Sequence, residues 1–487
     1  MSAPDLDANV MGQLFAAGAE SHVTILLGAG ASIPVGLPSW DEFAARLLVT
    51  SGAVTSRKTA DVLVKSKEQE PSIVVEAAHA AAKDRWHEAL QRALYEGDAP
   101  LKPSSVHLAA AGHFRATSTT RTTLLTLNYD VLLELALVGA GASSVEVKVG
   151  RDEPHESQPG EGNDATVHHL HGVITSDFAL DPIVGYSDYA ELVDARSPWQ
   201  REILESALEN GTLLLVGTSY RDPDIRHWLH VILRDKQPKH PAVVLIVRQA
   251  FGLSKEEFAL ARSALVGVWE SIGLRAVPVD DFADTAQILR ELRHVRDPGY
   301  AAPHDRARTV WDAHATEFDV LQAAHSNQLA GDALGLERVF GSALTSGTLW
   351  LAHPDGGLCR WASQDRIYTS APHLRHIPSG YDSAWVAGQA LGTEEVLVKG
   401  RPGGPDPTRQ WQSVLAVPIF VSDGLHPSFG CGVVTFGLPD KASQYRAAQD
   451  EWAEAVDKVA IEWGKRLQDH AFSRSETKID NHLGGAP

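Results

Sequence analysis

The sequence predicts an α/β protein, a parallel sheet covered by helices on both faces, followed by a smaller α+β domain. Three observations carry this. The stretch Val23–Trp40, VTILLGAGASIPVGLPSW, reads as a buried strand, a glycine-rich turn and a helix start. Short apolar, β-branched runs then alternate with helical segments up to about residue 296. Beyond that point the runs pair as hairpins instead, as an antiparallel sheet requires.

Each element follows in order. Residues 1–20 read as a short helix. Val23–Leu27 is the first strand, broken at Gly28-Ala29-Gly30, and Trp40 to Ala116 reads as mostly helical, with the periodicity of Ile73–Leu94 clearest. Thr122–Leu127 is a second buried strand and Val131–Leu137 opens a helix. Val145–Val149 and Val167–Leu170 are further strands, separated by Gly150–Ala165, a polar stretch that reads as an exposed loop. Ser187–Asn210 is helical, and Thr212–Val216, Ala242–Val247 and Leu274–Val279 complete the parallel set. The first domain is placed at 1–296, a Pro/Gly-containing linker at 297–317, the second domain at 318–470 and a flexible polar tail at 471–487. In the second domain, Thr348–Ala352 and Leu358–Ala362 read as a hairpin, Ser383–Leu391 as a helix, Ser413–Val421 and Gly430–Phe436 as strands, and Tyr445–Leu467 as a long amphipathic helix.

Composition narrows the class. With 487 residues and 44% hydrophobic content, two or three domains with ordinary cores are expected. A net charge of −19 argues against a protein that coats nucleic acid, so no direct nucleic-acid binding is expected. No apolar run approaches a membrane span and the N-terminal MSAPDLDANVMG carries no signal-peptide pattern, so a cytoplasmic location is expected. Two cysteines, Cys359 and Cys431, fit a reducing compartment and cannot build a four-cysteine zinc site.

Ligands of open α/β sheets bind beyond the carboxyl ends of the strands. Four such ends carry small or polar residues here: Gly28–Ser32, Thr126–Asp130, His171-Gly172 and Gly217–Ser219. Asn128 at a rigid strand end suits positioning of a hydroxyl or a water. Asp130 suits an orienting acceptor or a helix cap, and His171 a general base. By strand alternation His169 should share a face with His171, and a metal held by that pair lacks a third ligand, so no metal is expected. Asp222 and Asp224 read as caps of the helix that follows.

These four motifs, in this order, resemble the sirtuin family over roughly residues 20–296: Gly28-Ala29-Gly30-Ala31-Ser32, Leu127-Asn128-Tyr129-Asp130, His171-Gly172 and Gly217-Thr218-Ser219. The form G-A-G-x-S-x-x-x-G-x-P-x-W at Gly28–Trp40, with N-Y-D, is similar to bacterial sirtuin-like domains of anti-phage defence. The resemblance implies a Rossmann-like fold with NAD as substrate. It implies catalysis by Asn128 and His171 with Asp130, and NAD contacts from Gly28, Ala29, Gly30, Ser32, Pro38, Trp40, Thr126, Gly217, Thr218 and Ser219. It therefore implies an NAD+ nucleosidase acting as a defence effector. Two alternatives are a sirtuin-type protein deacylase and a sensor that binds NAD without turnover. Three departures count against the deacylase: the paired zinc cysteines are missing, Leu127 stands where Gln would be, and the strand Ala242–Val247 ends at Arg248 rather than near an Asn.

The second domain resembles the GAF family in the strand ending Val417-Pro418-Ile419, the short loop, and Gly432-x-x-x-Phe436 on the next strand. That implies a small-molecule or nucleotide activator at this domain, or assembly, and a homo-oligomer is expected. Trp350, Trp361, Trp385 and Trp411 are candidates for a pocket or a core, and Cys431 for a buried hydrophobe.

Overall fold

The computed structural model describes residues 6–14, 22–66, 70–96, 101–114, 121–150, 164–194, 198–219, 222–236, 238–401 and 411–472. Most of the loop 150–165, the tail beyond 472, and Tyr220-Arg221 lie outside the described residues. Contacts divide the chain into two units, Ala16–Arg290 and a second made of Met1–Phe15 with Glu291–Pro487. Helix α1 (Ala8–Gln13), started by Asp7 accepting from Asn9 and Val10 N–H, belongs to the second unit.

The first unit is a parallel sheet. Its strands are β1 (His22–Leu27), β2 (Arg121–Thr126), β3 (Ser144–Lys148), β4 (Asp164–His169), then, after the small hairpin β5 (Val173–Ile174) and β6 (Ala179–Leu180), β7 (Thr212–Val216), β8 (Ala242–Val247) and β9 (Arg275–Val279). The order is β3-β4-β2-β1-β7-β8-β9, with all pairings parallel. The chain reverses its direction of travel across the sheet between β1 and its neighbours β2 and β7, which is the doubly wound, Rossmann-like arrangement. β7 and β8 are buried along their whole length because both faces are covered, which is why TLLLV and AVVLIV are continuous apolar runs rather than alternating ones.

Helices α2 (Trp40–Thr50), α3 (Arg57–Lys65), α4 (Pro71–Ala82) and α5 (Trp86–Leu94) pack together around Phe43, Leu47, Val75 and Leu90. Ser39 caps α2 by accepting from Glu42 N–H, with Asp41 and Glu42 in the first turn where the helix dipole favours acid. The remaining helices are α6 (Ser105–Gly112), α7 (Leu132–Gly139), α8 (Tyr186–Asp194), α9 (Trp199–Asn210), α10 (Pro223–Lys236), α11 (Arg248–Phe251), α12 (Lys255–Glu270) and α13 (Phe282–Glu291).

The second unit has an antiparallel sheet. Helices α14 (Pro303–Thr316) and α15 (Phe318–Phe340) precede β10 (Thr345–Ala352), β11 (Leu358–Ser363), β12 (His376–Ile377), α16 (Val386–Thr393), β13 (Leu397–Gly400), β14 (Ser413–Val421) and β15 (Phe429–Leu438). Helices α17 (Ala442–Ala447) and α18 (Gln449–Phe472) follow. The strand order β12-β11-β10-β15-β14-β13, flanked by helices, is a GAF-like α+β arrangement. Helix α14 occupies most of the stretch expected as a linker. Pro303 sits at its first turn, where a missing N–H is tolerated, and Val310, Trp311 and His314 are buried in that unit's core. Trp350 and Trp361 are core residues, with Trp350 Nε1 donating to Thr435 Oγ1 at 3.0 Å. Cys359 and Cys431 are fully buried free thiols, each pushed up to about 12 by burial. Among the described residues no helix is long and apolar enough to cross a membrane.

Candidate functional site

The site lies at the carboxyl ends of β1, β2, β4 and β7. The turn after β1 and the turn after β7 are interlocked. Gly28 N–H donates to Val216 O and Gly30 N–H to Gly217 O, both at 2.9 Å. A Cβ on Gly28 would stand 2.7 Å from Gly217 O, and one on Gly30 would stand 2.7 Å from Gly217 Cα and 2.8 Å from the Phe282 ring. Gly217 itself is left-handed, at φ 68°. The smallness of these glycines is therefore demanded first by the protein's own backbone, and the open side of the two turns faces a cavity.

That cavity has a volume of about 1300 Å³. Its wall includes Gly28, Ala29, Gly30, Ser32, Pro38 and Trp40 from the first turn and α2, Asn128 and Asp130 after β2, His171 after β4, and Gly217, Thr218 and Ser219 after β7. Thr126 is not on the wall. It is buried one layer behind, where its Oγ1 donates to Leu27 O at 3.3 Å and accepts from Asn128 N–H at 3.0 Å. Thr126 thereby fixes the backbone that presents Asn128. Trp40 packs as well as lines, with its ring 6.1 Å from Phe43 and edge-on to Tyr189 at 6.5 Å.

Two hydrogen-bonded clusters face this space. In the first, Asn128 Nδ2 donates to Ser32 Oγ at 2.9 Å, and Ser32 Oγ donates to Asp130 Oδ2 at 2.8 Å. Asp130 Oδ1 accepts from Leu132 N–H at 3.1 Å, so this carboxylate also stops the first turn of α7 from leaving a bare donor. Burial raises the Asp130 carboxyl above its usual range, against the lowering by the Ser32 hydroxyl.

In the second cluster, His171 Nε2 meets Asp224 Oδ2 at 2.8 Å, with His171 3% and Asp224 0% exposed. Burial alone would lower the imidazole's pKa. The Asp224 carboxylate outweighs it, and the group is pushed up to about 9. Asp224 is held below the usual carboxylate range because the imidazolium overcomes its burial. Asp222, also on the cavity wall, is pushed up to about 7, first by burial and then by the Asp224 charge. The Tyr189 ring stands edge-on to His171 at 5.6 Å.

This corrects the expectation that Asp224 is simply a helix cap. Asp224 lies in the first turn of α10 directly after Pro223, and there it reaches back to the end of β4. The available signal was a second carboxylate immediately after the Gly217–Ser219 strand end. The expectation that His169 shares the face of His171 also fails. β4 ends at His169 and the chain turns at Leu170, so alternation stops there. Gly172, left-handed at φ 80°, completes the turn, and a Cβ on it would strike Asp181 O at 2.2 Å. His169 instead pairs with Glu134 at 2.6 Å and with Asn128 O at 3.0 Å, inside the protein.

His171, Asp222 and Asp224 bring one donor atom each to within 4.8 Å of one another. Nε2 of His171 is already engaged by Asp224, so an ion at this place would have to displace the shared proton.

The family-model match falls on this unit. A family model described as a SIR2-like domain matches residues 122–276, from β2 to β9. The chain is 25% identical over 225 residues, 45% of its length, to an uncharacterised protein (y4cA) of Sinorhizobium fredii. It is 25% identical over 183 residues, 35% of its length, to NAD(+) hydrolase ThsA of Enterococcus faecium. The matches cover 18% and 37% of those relatives, so the chain spans less than two fifths of either. A solved Sir2 homologue in complex with NAD aligns at TM-score 0.32 and 15% identity, over 58% of this chain and 93% of that one. A protein of Burkholderia vietnamiensis described as a GAF sensor aligns at TM-score 0.19 and 18% identity, over 34% of this chain and 98% of that one. The residues matched by the SIR2-like model include Asn128, Asp130, His171 and Gly217–Ser219. Gly28–Trp40 lies just upstream of them on the same cavity.

Proposed function

We propose that the protein is an NAD+ nucleosidase that cleaves the bond between nicotinamide and ribose. The observation that carries this reading is the convergence of the Asn128–Ser32–Asp130 cluster and the His171–Asp224 pair on one cavity beneath the interlocked glycine turns. The match to the SIR2-like model and the similarity to an NAD(+) hydrolase support NAD as the substrate. Gly28, Ala29, Gly30, Ser32, Pro38, Trp40, Gly217, Thr218 and Ser219 form the wall that would hold the dinucleotide, with Thr126 behind it. Breaking this bond develops positive, oxocarbenium character at the ribose. Asn128, on a rigid strand end, positions the ribose hydroxyls, and the His171–Asp224 pair presents an ionised but locally neutral surface beside them. The reaction as read needs no metal.

The wider role is part of the same proposal: a cytoplasmic effector of an anti-phage, abortive-infection type, working as a homo-oligomer. Its hydrolase would be gated by a small molecule or nucleotide at the GAF-like unit. Incubating the full chain with NAD and separating the products by chromatography tests it. Release of nicotinamide with ADP-ribose, without any acyl-lysine substrate, is the expected result, and the rate should respond to an added nucleotide. Unchanged NAD under every condition would favour the binding-only sensor.

A further inference from the structure

We propose that His107, on α6, is a positioning residue for this site: it fixes the Ser32 hydroxyl, and through it the orientation of the Asn128 amide toward the ribose. This rests on the hydrolase reading above and deepens it. His107 is 1% exposed and stands behind the cavity wall, upstream of the residues that the family model matches. It touches the site through one atom, the Ser32 hydroxyl oxygen.

Both nitrogens of this ring are engaged, and their partners decide where its proton sits. Helix α6 opens with a reciprocal cap. Ser104 Oγ accepts from His107 N–H at 3.4 Å, and His107 Nδ1 accepts from Ser104 N–H at 3.2 Å. A backbone N–H can only donate, so Nδ1 carries a lone pair and the ring's one proton is on Nε2. The Ser104 hydroxyl, 2.9 Å from the same Nδ1, sends its proton to Ala31 O at 2.7 Å. Nε2 meets Ser32 Oγ at 3.4 Å and is therefore the donor there. Burial pushes the imidazole down to about 4, so the ring stays neutral at neutral pH and keeps this tautomer.

Ser32 Oγ is then fully committed. Its proton goes to Asp130 Oδ2 at 2.8 Å, and its two lone pairs accept from Asn128 Nδ2 at 2.9 Å and from His107 Nε2. A hydroxyl that donates once and accepts twice has one orientation. Facing an oxygen that can only accept from it, Asn128 turns its NH2 arm to Ser32, and its amide oxygen is the arm that meets the ribose hydroxyls. One turn of α6 thus grips two successive residues of the glycine turn, Ala31 by its carbonyl and Ser32 by its side chain. Without the Nε2 proton the hydroxyl keeps only Asp130 and Asn128 and gains freedom to rotate. The amide hinged on it then loses its fixed geometry, which costs rate more than affinity.

The test is nicotinamide release from NAD by the full chain, for wild type, His107→Asn, His107→Gln, Ser32→Ala and the double variant Ser32→Ala/His107→Asn. Asparagine keeps an acceptor where Nδ1 stands, and so keeps the cap of α6, but its side chain ends short of Ser32. Glutamine carries an amide donor out to where Nε2 stands. His107→Asn should lose about tenfold or more in kcat with KM nearly unchanged, and His107→Gln should recover most of that loss. In the Ser32→Ala background, His107→Asn should change kcat by less than about twofold, because the residue acts through a hydroxyl that is already gone. Independently of turnover, nitrogen-15 spectra of the histidine rings should show His107 with its proton on Nε2, and that signal should shift in Ser32→Ala. Wild-type kcat in His107→Asn would overturn the assignment, as would equal losses in the Asn and Gln variants or additive losses in the double variant. A ring protonated on Nδ1 would overturn it even if His107→Asn failed to fold. A wild type that leaves NAD intact removes the hydrolase reading, and this inference with it, whichever nitrogen carries the proton.

Discussion

His169 and His171 stand two residues apart and each meets a buried carboxylate, Glu134 at 2.6 Å and Asp224 at 2.8 Å. The two pairs are chemically alike, and in both the carboxylate raises the imidazole's pKa against the effect of burial. Their surroundings differ. The His169 ring also touches Asn128 O, so both its nitrogens are used inside the protein, joining β4 to the backbone after β2 and to α7. The His171 ring lies on the cavity wall. A buried ion pair by itself therefore indicates nothing about chemistry. What separates the two rings is the turn that begins at Leu170, which sends the second ring to the cavity.

The comparison breaks first on stability. Replacing His169 by Ala strands the Glu134 carboxylate and leaves Asn128 O without its partner. The expected cost is about 3–5 kcal/mol, the usual penalty for removing one half of a buried pair. The same change at His171 should cost less, because water from the cavity can reach Asp224. Thermal unfolding of the two variants checks the order. Equal losses would mean that the two pairs are interchangeable braces.

A smaller effect is expected from pH. The folded pKa of His171 is raised from 6.5 to about 9, so the pair's contribution is fully present below 6.5 and is lost as pH rises through 9. Asp222, raised from 3.8 to about 7, acts in the same direction between those values, because the folded state holds its proton longer. Asp224 is lowered from 3.8, and its contribution is present above that value and lost only as pH falls through its folded pKa. Urea midpoints should therefore fall between pH 6 and 9.5, and Asp224→Asn should flatten that fall. A midpoint that is level over this range in the wild type would mean that the imidazole carries no bound proton at neutral pH.

Much of this arrangement was legible in the sequence because strand ends are local features. The apolar runs from Val23, Thr122, Val167 and Thr212 each end at a polar or small residue, and that alone placed Asn128, Asp130, His171 and Gly217–Ser219 at one edge of the sheet. Partners distant in sequence were not legible. His171 and Asp224 are 53 residues apart, and His169 and Glu134 are 35 apart, so only the tertiary fold joins them. A carboxylate in the first turn of a helix reads as a cap by every local rule, and Asp224 obeys those rules while serving another strand. The glycines were ambiguous in the same way. Gly28 and Gly30 suggested room for a ligand, and the structure shows that the backbone at Gly217 needs that room as well. Ala307–Leu329 reads as helical, and only the start of α14 was obscured, because Pro298, Gly299 and Pro303 look like a break although Pro303 begins the helix.

The central claim is that chemistry belongs to the histidine on the cavity and not to its neighbour. The most direct measurement is the initial rate of nicotinamide release from NAD by His171→Gln and His169→Gln, each corrected for folded protein. The amide at either position can still donate to its carboxylate, so the fold is preserved in both. The account predicts at least about a hundredfold loss for His171→Gln and a rate within severalfold of wild type for His169→Gln. Equal rates in the two variants, or a larger loss in His169→Gln, would contradict it.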